Sequence, residues 1–188
     1  MKLGKVVKHI RFIMYHKWLV FRLCCKAGEP WRGFMHDWSK FSPEEFFESV
    51  KYYNGKQSPL SISREINGIS NAWLHHKGRN KHHLEYWVDD ASPMVAGIMP
   101  YKYAVEMICD RIASGMAYEG KNFSIKFELD YWNNEKKEIK VNPKMDSFIT
   151  EVFGECMKNG IDNTLKKKTM KKIYENNVNN KTRAIDKN

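Results

Sequence analysis

The chain has 188 residues, 42% of them hydrophobic and 13% aromatic, which suits one domain with a real core and excludes wholesale disorder. Its formal charge of +10 points to anionic partners, yet Lys158 to Asn188 carries nine Lys/Arg against three Asp/Glu, a net of +6 that leaves only +4 for the rest. No apolar run approaches the roughly 20 residues that span a bilayer, so no membrane partner is expected.

The opening MKLGKVVKHIRFIMYHKWLVFRLCC has the outline of a signal peptide, but Lys8, His9, Arg11, His16, Lys17 and Arg22 interrupt its apolar part. It reads as an amphipathic helix whose apolar stripe is Val6, Val7, Ile10, Ile13, Met14, Phe21, Cys24 and Cys25, with His16 on the stripe's edge. Gly28-Glu29-Pro30 ends it, and a short helix is expected to carry WRGFMHDWSK. Ser42-Pro43-Glu44-Glu45 is a capping box with proline at the first helical position, opening a helix through Phe46, Phe47, Val50 and Tyr53. After Ser58-Pro59, one apolar face of Ile62, Ile66, Ile69 and Trp73 runs up to HHKGRNKHH. A further helix follows Met99-Pro100, and another begins at Pro143 and closes at Gly160. Between them FSIKFELDYW fits helix or strand, and EIKV a weak strand. The expected architecture is an all-α helical domain over 1–160, followed by a basic, partly disordered tail over 161–188. Cys24, Cys25, Cys109 and Cys156 lack CxxC spacing and sit in apolar helical contexts, which points to buried thiols in a reducing cytoplasm.

Three places carry candidate chemistry. In HDWSK, His36 would bind one metal ion while Asp37 bridges two, and Lys40, one turn on, would offer a fixed cation to a phosphate. In HHKGRNKHH, an unbroken helix would set His75 and His82 about 10 Å apart along its axis, too far for one ion. Gly78 and Asn80 tolerate left-handed backbone, so the helix is expected to stop there and the chain to turn back. His76 continues the apolar face and should point inward. His75 falls off its edge, which suits a residue behind the ligands or one facing substrate. His82 and His83 both remain candidate ligands. The third place is Asp110, in an otherwise apolar helix with Glu106 one turn earlier, where a buried carboxylate needs a cation.

Together His16, His36, Asp37, His76, His82, His83 and Asp110 form a ligand set of imidazoles and carboxylates suited to one or two ions of Fe, Mn, Zn, Co or Ni. Their order resembles the HD superfamily, whose helical domains assemble a metal site from a histidine, an HD pair, further histidines and a distal aspartate. HDxxK with a later HH pair is most similar to the binuclear branch that includes the HD-GYP phosphodiesterases. This chain has no GYP triplet and a very short gap between His76 and His82. The motifs YHKWLVFRLCCKAG, GFMHDWSKFSPEEF, AWLHHKGRNKHHLEYW and MPYKYAVEMICDR, across roughly residues 8 to 120, more closely resemble a bacterial and phage family of unknown function.

The resemblance to the HD superfamily implies an HD-like helical bundle and a metal-dependent phosphohydrolase acting on a small phosphorylated or nucleotide substrate. Asp37, Lys40 and His75 are the expected catalytic residues, and Lys40, Lys77 and Arg79 the expected holders of a small anionic substrate. An HD-type di-iron oxygenase is the alternative. A third is a nucleic-acid-binding protein using Lys166-Lys167-Lys168 and Lys171-Lys172, although these lysines also fit a merely solvated tail.

Overall fold

Proline and serine at helix starts, and glycine at helix ends, divide this chain into helices with short connections. The structure, a computed structural model, describes residues 3–91 and 95–179. In chain order the helices are α1 (Leu3–Ala27), α2 (Pro30–Met35), α3 (Pro43–Tyr52), α4 (Pro59–Asn67), α5 (Asn71–Arg79), α6 (Tyr101–Glu119), α7 (Ile125–Glu135), α8 (Pro143–Asn159), α9 (Ile161–Thr164) and α10 (Lys167–Tyr174). A 3-10 turn over Trp38–Phe41 links α2 to α3. The described strands, β1 (Val88–Asp89) and β2 (Val95–Ala96), form one antiparallel ladder with Val88 opposite Ala96. The protein is all-α.

Helix α6 supplies the middle of the core with Ala104, Val105, Met107, Ile108, Cys109, Ile112 and Ala113. Val20, Leu23, Cys24 and Ala27 of α1 join the same cluster, as do Phe148, Ile149, Val152 and Phe153 of α8. Helices α4 and α5 both pack on α3, which leans on the N-terminal half of α1. The candidate site lies where α1, α3, α5, α6 and the turn after α2 come together.

Several expectations change. The buried face of α1 is His9, Ile13, His16, Lys17, Leu19, Val20, Leu23, Cys24 and Ala27, whereas Val7, Ile10, Met14 and Phe21 are exposed. The helix turns polar side chains toward the site, so its hydrophobic stripe is not its inner face. The single face drawn through Ile62 to Trp73 is broken at Gly68, which has φ 74°, and Ser70 caps α5 by accepting from Trp73 N–H. Ile66 and Ile69 are exposed.

Segment 138–141 is not a strand, and FSIKFELDYW falls largely in α7, capped by Ser124. Cys25 is exposed while Cys24, Cys109 and Cys156 are buried. Packing continues past residue 160. Leu165, Met170, Ile173, Tyr174 and Val178 are buried in the core, and the Tyr174 hydroxyl donates to Met99 O at 2.7 Å. The lysines at 166–168, 171 and 172 form the outer side of this amphipathic segment. Of the last dozen residues, where disorder is expected, 177–179 are helical with Val178 buried, and 180–188 lie outside the described residues.

Candidate metal centre

Asp37 is the only described non-glycine residue with positive φ, at 52°. Left-handed backbone costs a side-chain-bearing residue on the order of 1–2 kcal/mol, and such strain gathers at functional sites. Helix α2 stops after Met35, where His36 turns extended with ψ 128°, and Asp37 then opens the 3-10 turn with its residue 1% exposed. Gly33 allows this placement, because a Cβ there would lie 2.9 Å from Phe21 Cα on α1.

Around Asp37 two sets of potential ligands gather. His16, His36 and Asp110 share one set with it, and His76, His82 and His83 the other. Asp37 Oδ2 lies 3.2 Å from His36 Nε2, while Oδ1 lies 3.5 Å from His76 Nε2 and 3.4 Å from His82 Nε2. Asp110 Oδ1 is 3.0 Å from His16 Nε2 and 3.4 Å from His36 Nε2. Ligands bonded to one transition-metal ion at 2.0–2.2 Å stand about 2.8–3.6 Å apart between right-angle and tetrahedral arrangements. The separations are those of a ligand shell. All seven residues expected as ligands are drawn into these two sets, His82 and His83 together.

The imidazoles are aimed from behind by two carboxylates that were not among the expected site residues. Glu106 Oε1 is 3.1 Å from His36 Nδ1 and 3.2 Å from His82 Nδ1, and its Oε2 accepts from Arg32 Nε at 2.7 Å. Glu45 accepts from His76 Nδ1 and His75 Nδ1, each at 2.7 Å. An ionised carboxylate only accepts, so Nδ1 of His36 and His76 carries a proton, and Nε2 is the nitrogen turned to the centre, whose lone pair would become available to an ion on loss of any proton held there. A third group, His36, His82 and Glu106, lies on this outer Nδ1 face and is explained by these contacts without an ion. Facing inward, Nε2 of His16, His36, His82 and His83 and Oδ1 of Asp37 are buried with no hydrogen-bond partner. Buried polar atoms are nearly always satisfied, so five orphans converging on one place fit a cation. The buried groups could hold a metal ion.

Burial opposes charge throughout the cluster, but charge partners win at most positions. Asp37 is held well below the usual carboxylate range by His36 and Lys40, and Asp110 by His36 and His16. Glu106 falls to about 2 against its burial, through its contacts with His36 and His82. His36 rises well above the ordinary imidazole value because Asp37 and Asp110 outweigh desolvation. By contrast, burial lowers His16 and His83. Lys40 reaches Asp37 Oδ2 at 2.6 Å, and Asp37 and Asp110 hold its pKa above the lysine range despite burial.

A cavity of about 160 Å³ opens from the two ligand sets, bounded by α1, α3, α5 and α6. Asp37 and Lys40 line it, but His75, Lys77 and Arg79 do not. Helix α5 continues through Gly78 to Arg79, so the turn comes after Asn80, in extended rather than left-handed backbone. At 100° per residue Lys77 is turned 100° away from the inward-facing His76, and Arg79, only about 60° from it, is the exposed last residue of α5 one turn further on. His75 meets Glu45 behind His76, the first of the two positions expected for it. The side chain of Asn80 caps α5 by donating to His76 O at 2.9 Å. His9 does line the cavity, and nothing in its sequence context distinguished it from a helix-surface histidine.

The family model described as "Family of unknown function (DUF5662)" matches residues 5–155. No curated protein and no solved structure matches the chain.

Proposed function

The chain belongs to DUF5662, a family of unknown function that lends it no reaction, and we propose from its own site that it is a metal-dependent phosphohydrolase. The carrying observation is Asp37, strained in backbone, shared between two ligand sets and paired on Oδ2 with Lys40 at the cavity wall. The order of His16, His36-Asp37, His76, His82-His83 and Asp110 supports an HD-like reading of the helices.

One ion would be held by His16, His36, Asp37 and Asp110, and a second by Asp37, His76, His82 and His83. Bound there, a transition-metal ion lowers the pKa of water and polarises a phosphoryl oxygen. Lys40 keeps its proton and sets a fixed positive charge for the substrate's phosphate. Glu45 and Glu106 fix the imidazoles, so little reorganisation is needed when the anion enters. Overall, one water is consumed, the ester P–O bond breaks, and alcohol and inorganic phosphate leave. Buried thiols at Cys24, Cys109 and Cys156 suit a reducing compartment.

Metal content of protein purified without chelator, together with phosphate release from phosphomonoesters in added Mn, Co or Fe, tests the reading. Asp37→Asn is the matched variant, because asparagine accepts left-handed backbone while removing the charge. It should fold normally and lose metal and turnover together. Two irons per chain with substrate-dependent oxygen uptake and no phosphate release would replace hydrolysis by the oxygenase alternative.

A further inference from the structure

The cavity is a slot between α1 and α6 with the ligand sets at one end. On α1, His16 belongs to those sets, while His9 stands seven residues away on nearly the same face, about 10 Å along the axis. On α6 the same distance is covered by Asp110, Ser114 and Tyr118 at successive turns. The two helices meet beyond the site, where Phe12 and Tyr118 have ring centroids 4.7 Å apart.

His9 is 3% exposed, and neither of its ring nitrogens has a hydrogen-bond partner. It is wedged against Tyr53 and Phe46, at centroid distances of 4.8 and 5.9 Å. A buried imidazole without partners forfeits its hydrogen bonds unless a ligand supplies them. Burial, then the charges of Lys40 and Lys5, hold its pKa down to about 4, so near neutrality it offers one donor and one acceptor. Ser49, Ser58, Ser114 and Tyr118, from α3, the start of α4 and α6, also line the cavity, and burial raises the Tyr118 phenol to about 12, which keeps it a donor. The acidic lining residues, Asp37 and Asp110, both belong to the ligand sets, so the far end has no partner for an amine.

The volume limits the rest. The partly open cavity measures about 160 Å³, well below the roughly 300 Å³ or more of pockets that take drug-sized ligands such as nucleotides. Resting on the phosphohydrolase reading, we propose that the substrate is a compact phosphomonoester with an uncharged, hydroxylated organic part, a sugar or polyol phosphate and not a nucleotide, recognised at its far end by His9. The phosphate sits by Lys40 and the ligand sets, and the hydroxyls meet His9, Tyr118 and the serines.

Ribose 5-phosphate and AMP share a phosphoribosyl group and differ by the base, so they separate the two sizes. Calorimetric titration of the full chain loaded with Mn should show ribose 5-phosphate binding about tenfold or more tightly than AMP. His9→Phe keeps the ring contacts and should weaken ribose 5-phosphate about tenfold, whereas His9→Gln, which retains a donor and an acceptor, should stay within about threefold. If His9→Phe does not melt cooperatively, Tyr118→Phe takes its place, with weakened binding expected again. AMP binding as tightly as ribose 5-phosphate, or neither variant changing affinity, overturns the assignment. Phosphate release, followed in parallel, separates the two readings. Turnover of AMP with ribose 5-phosphate ignored leaves the hydrolase and removes the compact substrate. Tight ribose 5-phosphate binding with no phosphate released from any ester removes the hydrolase and leaves the binding selectivity.

Discussion

Glu106 shows how a single residue can hold a site without touching its ligand. It is fully buried on α6, one turn before Asp110, with His36 and His82 on one oxygen and Arg32 on the other. Carboxylates behind metal-binding imidazoles typically contribute 10- to 100-fold in metal affinity. Glu106→Gln should therefore weaken Mn or Zn binding by about 10–100-fold in a chelator competition while the helices persist by circular dichroism. Unchanged affinity would mean that the imidazoles are oriented by packing alone. Glu45 was hidden in the sequence by a competing role. As the third residue after Ser42 it completes a capping-box pattern, and Ser42 Oγ does accept from Glu45 N–H at 3.4 Å. Its carboxylate nevertheless turns to His75 and His76, because two imidazole N–H groups, that of His76 buried, are stronger claimants than an N–H at the helix end.

Between elements, the contact of α6 with α7 links stability to pH. A Cβ on Gly115 would fall 2.3 Å from Glu128 Oε1 and 2.5 Å from Phe123 Cε2, so the two segments touch here only because α6 carries no side chain. Glu128 is enclosed as a result, and burial raises its carboxyl to about 7, with Arg111 only partly offsetting it and Asp110 adding repulsion. The folded protein thus holds this proton more tightly than the unfolded chain does. The associated stability is complete below the ordinary glutamate pKa and is lost as pH rises through about 7. The shift corresponds to about 3 kcal/mol at most. Glu128→Gln should remove this dependence. Wild-type melting temperature should fall between about pH 5 and 8 while the variant stays flatter. Parallel curves would show that Glu128 ionises normally.

At the scale of the molecule, the basic C-terminal segment is part of the body. Burying Leu165, Met170, Ile173, Tyr174 and Val178 contributes roughly 1.5–3 kcal/mol each, together comparable with the 5–15 kcal/mol net stability of an ordinary domain. Truncation after Gly160 should therefore abolish cooperative thermal unfolding. A truncated chain melting near the full-length temperature would return this segment to the status of a tail. The Lys-rich composition that suggested a tail belongs to the outer side of α10, and period alone could have separated its two faces. Much else was legible without coordinates. Pro43, Pro59, Pro143 and Gly160 mark helix ends because the missing N–H of proline and the backbone freedom of glycine act locally. The seven candidate ligands could be singled out as imidazoles and carboxylates crowded into a few short stretches of an apolar chain, and the fold draws them together. Tertiary structure alone decided the inward face of α1, the diversion of Glu45 and Glu106 to the imidazoles, the absence of Lys77 and Arg79 from the cavity lining, and the presence of His9 in it. Each depends on which side of a helix meets a neighbour distant in sequence, and a helix whose inner face carries histidines and a lysine gives its own periodicity no way to reveal that side.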